Sequence, residues 1–87
     1  MAADLNHHHR VTLEKIFSHP VSGNVEWRQV LSLLAAVGTT TQEPNGKVKV
    51  ELGGETEVLQ PSSDKDVDRQ LIVDLRRMLT NAGIEPS

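Results

Sequence analysis

Apolar side chains along the chain follow two different periods, and each period predicts one kind of secondary structure. Spacings of three and four residues predict helices over residues 11–17, 24–37 and 67–81. Strict alternation over residues 47–52 predicts a strand with one buried face, and β-branched runs on either side of it predict two more strands. The predicted order is α-α-β-β-β-α. It describes an α+β domain in which helices cover one face of a three-stranded antiparallel sheet.

Residues at the ends of these segments are typical of helix caps and of a tight turn. Asn24 is a favoured N-cap for the second helix, and Asp66 or Asp68 is the expected cap of the last one. Gly38 is expected to end the second helix in the left-handed conformation. The Asn45-Gly46 pair is a favoured type I′ turn between the first two strands, because both residues tolerate positive φ.

The length of the next loop decides which side chains share a face of the sheet. A two-residue loop, residues 53–54, would place Val50 opposite Glu57. A three-residue loop with a bulge, residues 53–55, would place Val50 opposite Val58 and group apolar side chains. We therefore expect the bulged loop.

Size and composition predict one intracellular domain. The chain has 87 residues, enough for one hydrophobic core and too few for two, so residues 1–87 are treated as one domain with residues 1–20 as a helical N-terminal arm. It contains no cysteine, which fits a reducing compartment. Residues 1–4 lack the basic and apolar regions of a signal peptide, so we expect a cytoplasmic location.

Charge limits the choice of ligands. Nine Lys and Arg against 12 Asp and Glu give a formal charge of −3, so nucleic acid would need a local basic patch. Lys47 and Lys49 share the open face of the predicted sheet and, with Lys65, are the candidate RNA-binding residues. Glu51 and Glu57 are expected on the same face, so a solvated surface is the simpler interpretation. Any RNA binding through these lysines should be weak and non-specific.

No motif in the sequence predicts an enzyme, a cofactor, a metal or a small-molecule ligand. Consecutive helical side chains point about 100° apart, so His7-His8-His9 cannot all bind one ion, and a polar helix start is the simpler interpretation. His19 is the weak candidate for a catalytic base, although a capping or packing role is more usual at such a position. Arg76 and Arg77 are expected on an ordinary exposed helix face with acidic neighbours.

Several segments in one order form a pattern that extends from about residue 13 to residue 84. They are TLEKIF at 12–17, NVEWR at 24–28, Gly46-Lys47, and VDLRRML at 73–79 running on to AGI at 82–84. This pattern resembles the HicA family of toxin ribonucleases. The resemblance implies a fold similar to a double-stranded RNA-binding domain, a ribonuclease acting on messenger RNA, and a partner antitoxin that blocks the active site.

The histidines of the HicA pattern are absent from the matching positions. HicA toxins typically carry Gly-Ser-His at the start of the second strand, with the histidine as general acid or base, and often a second histidine before the last helix. Here Lys47 stands at the serine, Val48 at the histidine, and Ser62 or Ser63 near the second histidine. Neither valine nor serine exchanges a proton near neutral pH. The resemblance therefore implies a HicA-like RNA-binding or antitoxin-binding domain without the family's ribonuclease activity.

Two alternative functions are consistent with the same residues. One is an active toxin ribonuclease that uses a relocated histidine, His19 or one of residues 7–9, and it would be identified by RNA cleavage. The other is a protein-interaction module whose exposed edge strand pairs with a partner and which is indifferent to RNA.

Overall fold

The computed structural model describes residues 6–18, 25–61 and 65–86. Within these residues, three helices and a three-stranded antiparallel sheet follow the predicted order and confirm the predicted fold class. The elements are α1 (His7–Ile16), α2 (Trp27–Val37), β1 (Thr39–Gln42), β2 (Val48–Leu52), β3 (Glu55–Leu59) and α3 (Arg69–Asn81). None of the described helices is long and apolar enough to cross a membrane.

The sheet has one face buried by the helices and one open face, and the side chains of its middle strand, β2, alternate between the two. Strand β2 pairs antiparallel with β1 on one side and β3 on the other. Its even-numbered residues point towards the helices, and its odd-numbered residues point to the open face. The described core lies between the helices and the first of these faces. It consists of Leu13, Ile16, Val25, Trp27, Val30, Leu33, Leu34, Val48, Val50, Leu52, Leu59, Val67, Ile72, Leu75, Met78 and Leu79.

Helix α1 begins before the apolar period does and joins the core. The Asn6 side chain caps it by accepting a hydrogen bond from the His9 backbone N–H at 2.9 Å. The three histidines therefore form the first helical turn, which confirms the interpretation of a polar helix start. Leu13 and Ile16 are buried, and α1 packs against both α2 and α3. The helical part of the N-terminal arm thus contributes to the core.

Arg76 of α3 holds the C-terminal end of α1. Its Nε donates to the Ile16 carbonyl and its Nη2 donates to the Ser18 carbonyl, each at 2.6 Å. The last carbonyls of a helix have no partner within the helix, so a guanidinium can satisfy them with charge-assisted bonds. The prediction of an exposed face is therefore wrong for Arg76, which is half-buried, while Arg77 is exposed.

Two short extended segments join the starts of α2 and α3. The Trp27 backbone N–H donates to the Lys65 carbonyl at 3.0 Å, and the Val67 N–H donates to the Val25 carbonyl at 2.8 Å. Because these bonds need extended backbone, the two helices begin later than the apolar pattern predicts.

The caps of α2 and α3 show where each helix starts. The N-cap of α2 is Glu26, and its backbone N–H donates to the Gln29 side-chain oxygen at 3.2 Å. The helix start predicted at Asn24 is therefore too early, and Asn24 itself lies outside the described residues. Asp68 is the N-cap of α3, as one of the two predicted alternatives requires.

Gly38 follows α2 as predicted, but for a different physical reason. Its φ of −150° and ψ of −150° are extended, so the prediction of a left-handed residue is wrong. A Cβ atom at this position would collide with the carbonyl oxygen of Glu51. Glycine is needed here because the chain passes directly beside β2 between the end of α2 and the start of β1, which leaves no room for a Cβ atom.

The two hairpin loops are exchanged in type relative to the prediction: the first is the three-residue loop and the second is the two-residue turn. Between β1 and β2 the Gly46 N–H donates to the Glu43 carbonyl at 3.1 Å, with Pro44 at the second position of the turn. Among non-glycine residues described, none has a positive φ, so this loop is a type I turn followed by Gly46 at φ 86°. Between β2 and β3 both Gly53 (φ 57°) and Gly54 (φ 87°) are positive, which makes a two-residue type I′ turn.

The two-residue turn sets the register of β2 and β3. Val50 lies opposite Glu57, so the expected pairing of Val50 with Val58 is wrong. Two glycines adopt positive φ without steric cost, and the shorter loop still buries an apolar pair because Val48 lies opposite Leu59. Glu57 consequently lies on the helix-facing side, and Val58 lies on the open face.

We expect Arg76→Met to lower the free energy of unfolding by about 2–4 kcal/mol, because two carbonyls lose their charged donor. Arg77→Met is the matched control. Its side chain is exposed, so the change should stay within about 0.5 kcal/mol. Urea denaturation followed by tryptophan emission measures both variants. Equal losses of unfolding free energy in the two variants would show that the contact of Arg76 with α1 contributes nothing to stability.

Alanine substitutions in the second hairpin test how closely it approaches α3. Alanine at either Gly53 or Gly54 costs about 1–2 kcal/mol, because both residues have positive φ. At Gly53 the added Cβ would also meet the Ala82 Cβ at 2.7 Å, whereas at Gly54 it would meet nothing within 4 Å. We expect Gly53→Ala to lose about 1–3 kcal/mol more than Gly54→Ala in urea denaturation. A Gly54→Ala loss as large as that of Gly53→Ala would contradict the close approach.

Candidate functional site

Lys47 and Lys49 lie on the open face of the sheet, where strand alternation predicts them. Lys49 is half-buried, and its Nζ is 3.8 Å from Oε1 of Glu51 on the same face. Glu57, which was expected beside them, faces the helices, and exposed Val58 takes its place opposite Lys49. One of the two lysines therefore already has a neighbouring carboxylate, which weakens this face as a phosphate-binding surface.

Lys65 lies elsewhere, beside the first turn of α2. Its Nζ is 3.4 Å from one carboxylate oxygen of Glu26, and Arg28 Nε is 3.2 Å from the other. The structure therefore brings two of the three candidate lysines together and leaves the third at another site. The Lys65 side chain is exposed, so its ion pair with Glu26 contributes little stability, but the carboxylate does offset the charge of Lys65.

Val48, the residue at the histidine position of the HicA pattern, lies in the core. It is 3% exposed and faces the helices opposite Leu59. A general acid or base must come within hydrogen-bond reach of its substrate, and a side chain at this position contacts apolar groups instead. His19, Ser62 and Ser63, the other residues relevant to catalysis, lie outside the described residues.

The histidines of α1 border a shallow depression of about 500 Å³ between α1 and α2. His9 Nε2 lies 2.9 Å from the Ser32 hydroxyl oxygen, so the two side chains join the helices. A serine nucleophile needs its histidine oriented by a third group, and within the described chain His9 Nδ1 is buried without a partner. No group of three or more potential metal-ligating side chains occurs among residues 6–18, 25–61 and 65–86.

The outer edge of β3 presents backbone groups that no strand of this sheet takes up. The Glu43 N–H donates to the Lys47 carbonyl at 2.8 Å, so by antiparallel alternation the odd-numbered residues of β2 bond to β1 and the even-numbered ones bond to β3. Those even-numbered residues pair with residues 55, 57 and 59 of β3. Thr56 and Val58 therefore direct their N–H and C=O groups away from the sheet. Both residues are exposed, Val58 by 56%.

A groove of about 380 Å³ lies beside this edge, between β3 and α3. Its described lining combines apolar side chains with carboxylates and includes no lysine or arginine. The apolar members include Trp27, Leu71 and Met78, and the carboxylates are Glu57, Asp68 and Asp74. Within the described chain none of these carboxylates belongs to an ion pair. The groove is therefore an apolar surface with a negative rim.

Sequence reasoning missed this groove because it placed Glu57 on the open face. The signal that could have found it is the Gly53-Gly54 pair, since two adjacent glycines suit a two-residue type I′ turn. With that turn, Glu57 moves to the helix side and joins the carboxylates of α3.

Comparisons with known proteins find no match: no family model, no curated protein and no solved structure is significantly similar to the chain. Within the described chain, the β3 edge, the adjoining groove and the surroundings of Val48 are the features that bear on function.

A histidine at position 48 should destabilise the protein. We expect Val48→His to lower the free energy of unfolding by about 2–4 kcal/mol, because it buries an imidazole without a partner and disturbs the packing. Lys47→His is the matched control on the open face, and its effect should be within about 0.5 kcal/mol. Urea denaturation measures both variants. A Val48→His protein as stable as the Lys47→His protein would show that position 48 is accessible to solvent.

Proposed function

We propose that the chain is a HicA-like domain that binds a partner protein of the antitoxin kind and does not cleave RNA. The observation that carries this proposal is the burial of Val48. The resemblance assigns the family's proton-exchanging residue to this position, and here it is an apolar side chain facing the helices. A function that needs no proton transfer is compatible with such a residue, whereas cleavage by a general acid or base at this position is not.

Charge favours a protein partner over RNA. The formal charge is −3, Lys49 lies beside Glu51, and Lys65 lies beside Glu26. RNA affinity depends on the number of phosphates that lysine and arginine neutralise, and the open face offers Lys47 and Lys49 for this purpose. The outer edge of β3, which has no further strand in the described sheet, lies beside an apolar groove and suits a protein segment instead, since strand addition uses backbone hydrogen bonds for affinity.

We expect the purified chain to leave a mixed transcript intact on a sizing gel, because no acid or base occupies position 48. A pancreatic-type ribonuclease that digests the same transcript serves as the positive control. Cleavage by the wild-type chain that disappears in His9→Ala or His19→Ala would contradict the proposal and support a relocated histidine.

A titration with duplex RNA on the same preparation separates a protein-binding role from an RNA-binding one. Two lysine contacts give a slope of log affinity against log salt of about −2, so any binding should be weak. Reversing both charges, Lys47→Glu with Lys49→Glu, should abolish that binding, while Lys65→Glu should not. Tight binding that the double reversal abolishes would make RNA the better-supported ligand.

A further inference from the structure

We propose that the edge of β3 and the adjoining groove bind an extended segment of a partner protein in which basic and apolar residues alternate. The inference rests on the proposed function and names the chemistry of the partner. Added antiparallel to β3, the segment would place basic side chains over the groove and apolar ones beside Val58.

Backbone geometry makes β3 able to accept another strand. Thr56 and Val58 both direct a donor and an acceptor outward, so a segment of three or more residues can form paired hydrogen bonds with them. Residues directly opposite each other in an antiparallel pair share a face of the sheet. The partner residues that bond to Val58 and Thr56 therefore lie on the open face, and their neighbours lie on the groove side.

The two faces of the added strand differ in the side chains they favour. On the open face, Val58 is 56% exposed and offers an apolar contact. On the groove side, Leu71 and Met78 provide apolar surface, while Asp68 and Asp74 carry negative charges that form no ion pair within the described chain. A lysine can lay its apolar stem along the two apolar side chains and bring its ammonium group to the two aspartates. Alternating lysine and valine satisfies both faces.

The same charges disfavour two other occupants of the edge. A second copy of the chain would bring Glu55 and Glu57 of each β3 close to those of the other, and like charges across a strand pair are destabilising. RNA would bring phosphates to a groove lined by Glu57, Asp68 and Asp74, which repel them.

The test uses an eight-residue blocked peptide of alternating lysine and valine, titrated into the full chain by calorimetry. Trp27 is the chain's single tryptophan and lines the groove, so its emission responds to a ligand there. It also lines a second pocket with Glu26, Arg28 and Lys65, so the protein variants below are needed to locate the site. We expect saturable binding with a change in Trp27 emission. A peptide of alternating glutamate and valine should bind at least about tenfold more weakly, because its charges meet those of the groove.

Two peptides that differ only in backbone methylation test strand addition without altering the protein. N-methylation of the valines removes the donors that face β3 and should abolish binding, whereas N-methylation of the lysines removes donors that face solvent and should leave it within about twofold. Equal binding of the two methylated peptides would overturn the inference.

Protein variants locate the edge that is used. Val58→Pro removes an outward N–H from β3, and Gln42→Pro does the same from β1 on the opposite edge of the sheet. Proline is tolerated at both positions because neither N–H bonds to a strand of the described sheet. We expect only the first to abolish peptide binding, with both proteins folded by circular dichroism. Asp68→Asn with Asp74→Asn should weaken binding at least about tenfold, because the groove loses two negative charges. Asparagine is as good an N-cap as aspartate, so α3 should still form at Asp68.

The inference and the proposed function fail in different ways. RNA cleavage by the wild-type chain would remove the proposed function and leave the peptide result unchanged. Peptide binding that Gln42→Pro abolishes and Val58→Pro does not would overturn the β3 site alone. A dimer in sedimentation that Val58→Pro dissociates would assign the edge to a second copy and overturn the inference.

Discussion

The two-residue turn at Gly53 and Gly54 is the constraint on which the proposed binding surface depends. Side chains in a strand alternate between faces, so a loop longer by one residue would exchange the two faces of β3. With the short turn, Glu57 joins the carboxylates of α3 and Val58 reaches the open face. The turn lies against Ala82 at the C-terminal end of α3, so closely that a Cβ on Gly53 would be 2.7 Å from the Ala82 Cβ.

Helix placement depends on contacts between residues far apart in sequence. The starts of α2 and α3 are joined by backbone bonds between Trp27 and Lys65 and between Val25 and Val67. Arg76 then joins α3 to the end of α1, across 60 residues of sequence to the Ile16 carbonyl. These contacts orient the helices over one face of the sheet, and the position of α3 beside β3 leaves the groove open.

Binding and catalysis make different demands on this scaffold. Catalysis by a HicA-like ribonuclease needs a proton-exchanging side chain within reach of RNA, and Val48 is turned into the core. Strand addition needs only unpaired backbone groups and side chains that suit the partner, and the edge of β3 has both. The groove proposed to receive the basic side chains also lies on the opposite side of the sheet from Lys47 and Lys49, and its charge is negative where the lysines are positive.

The sequence by itself determined the order of the elements and most of the core, because the spacing of apolar residues within each segment, as in β2, specifies a helix or a strand and its buried face. It also placed Lys47 and Lys49 on one face, since that follows from alternation alone. The face of Glu57 depends on the length of the turn at Gly53 and Gly54, which the two glycines suit but strand alternation does not specify. Only the tertiary structure decided the burial of Arg76 and the separation of Lys65 from the other lysines. Each of these two depends on where a distant segment lies: the end of α1 or the start of α2. Local periodicity constrains neighbouring residues and carries no information about such distances.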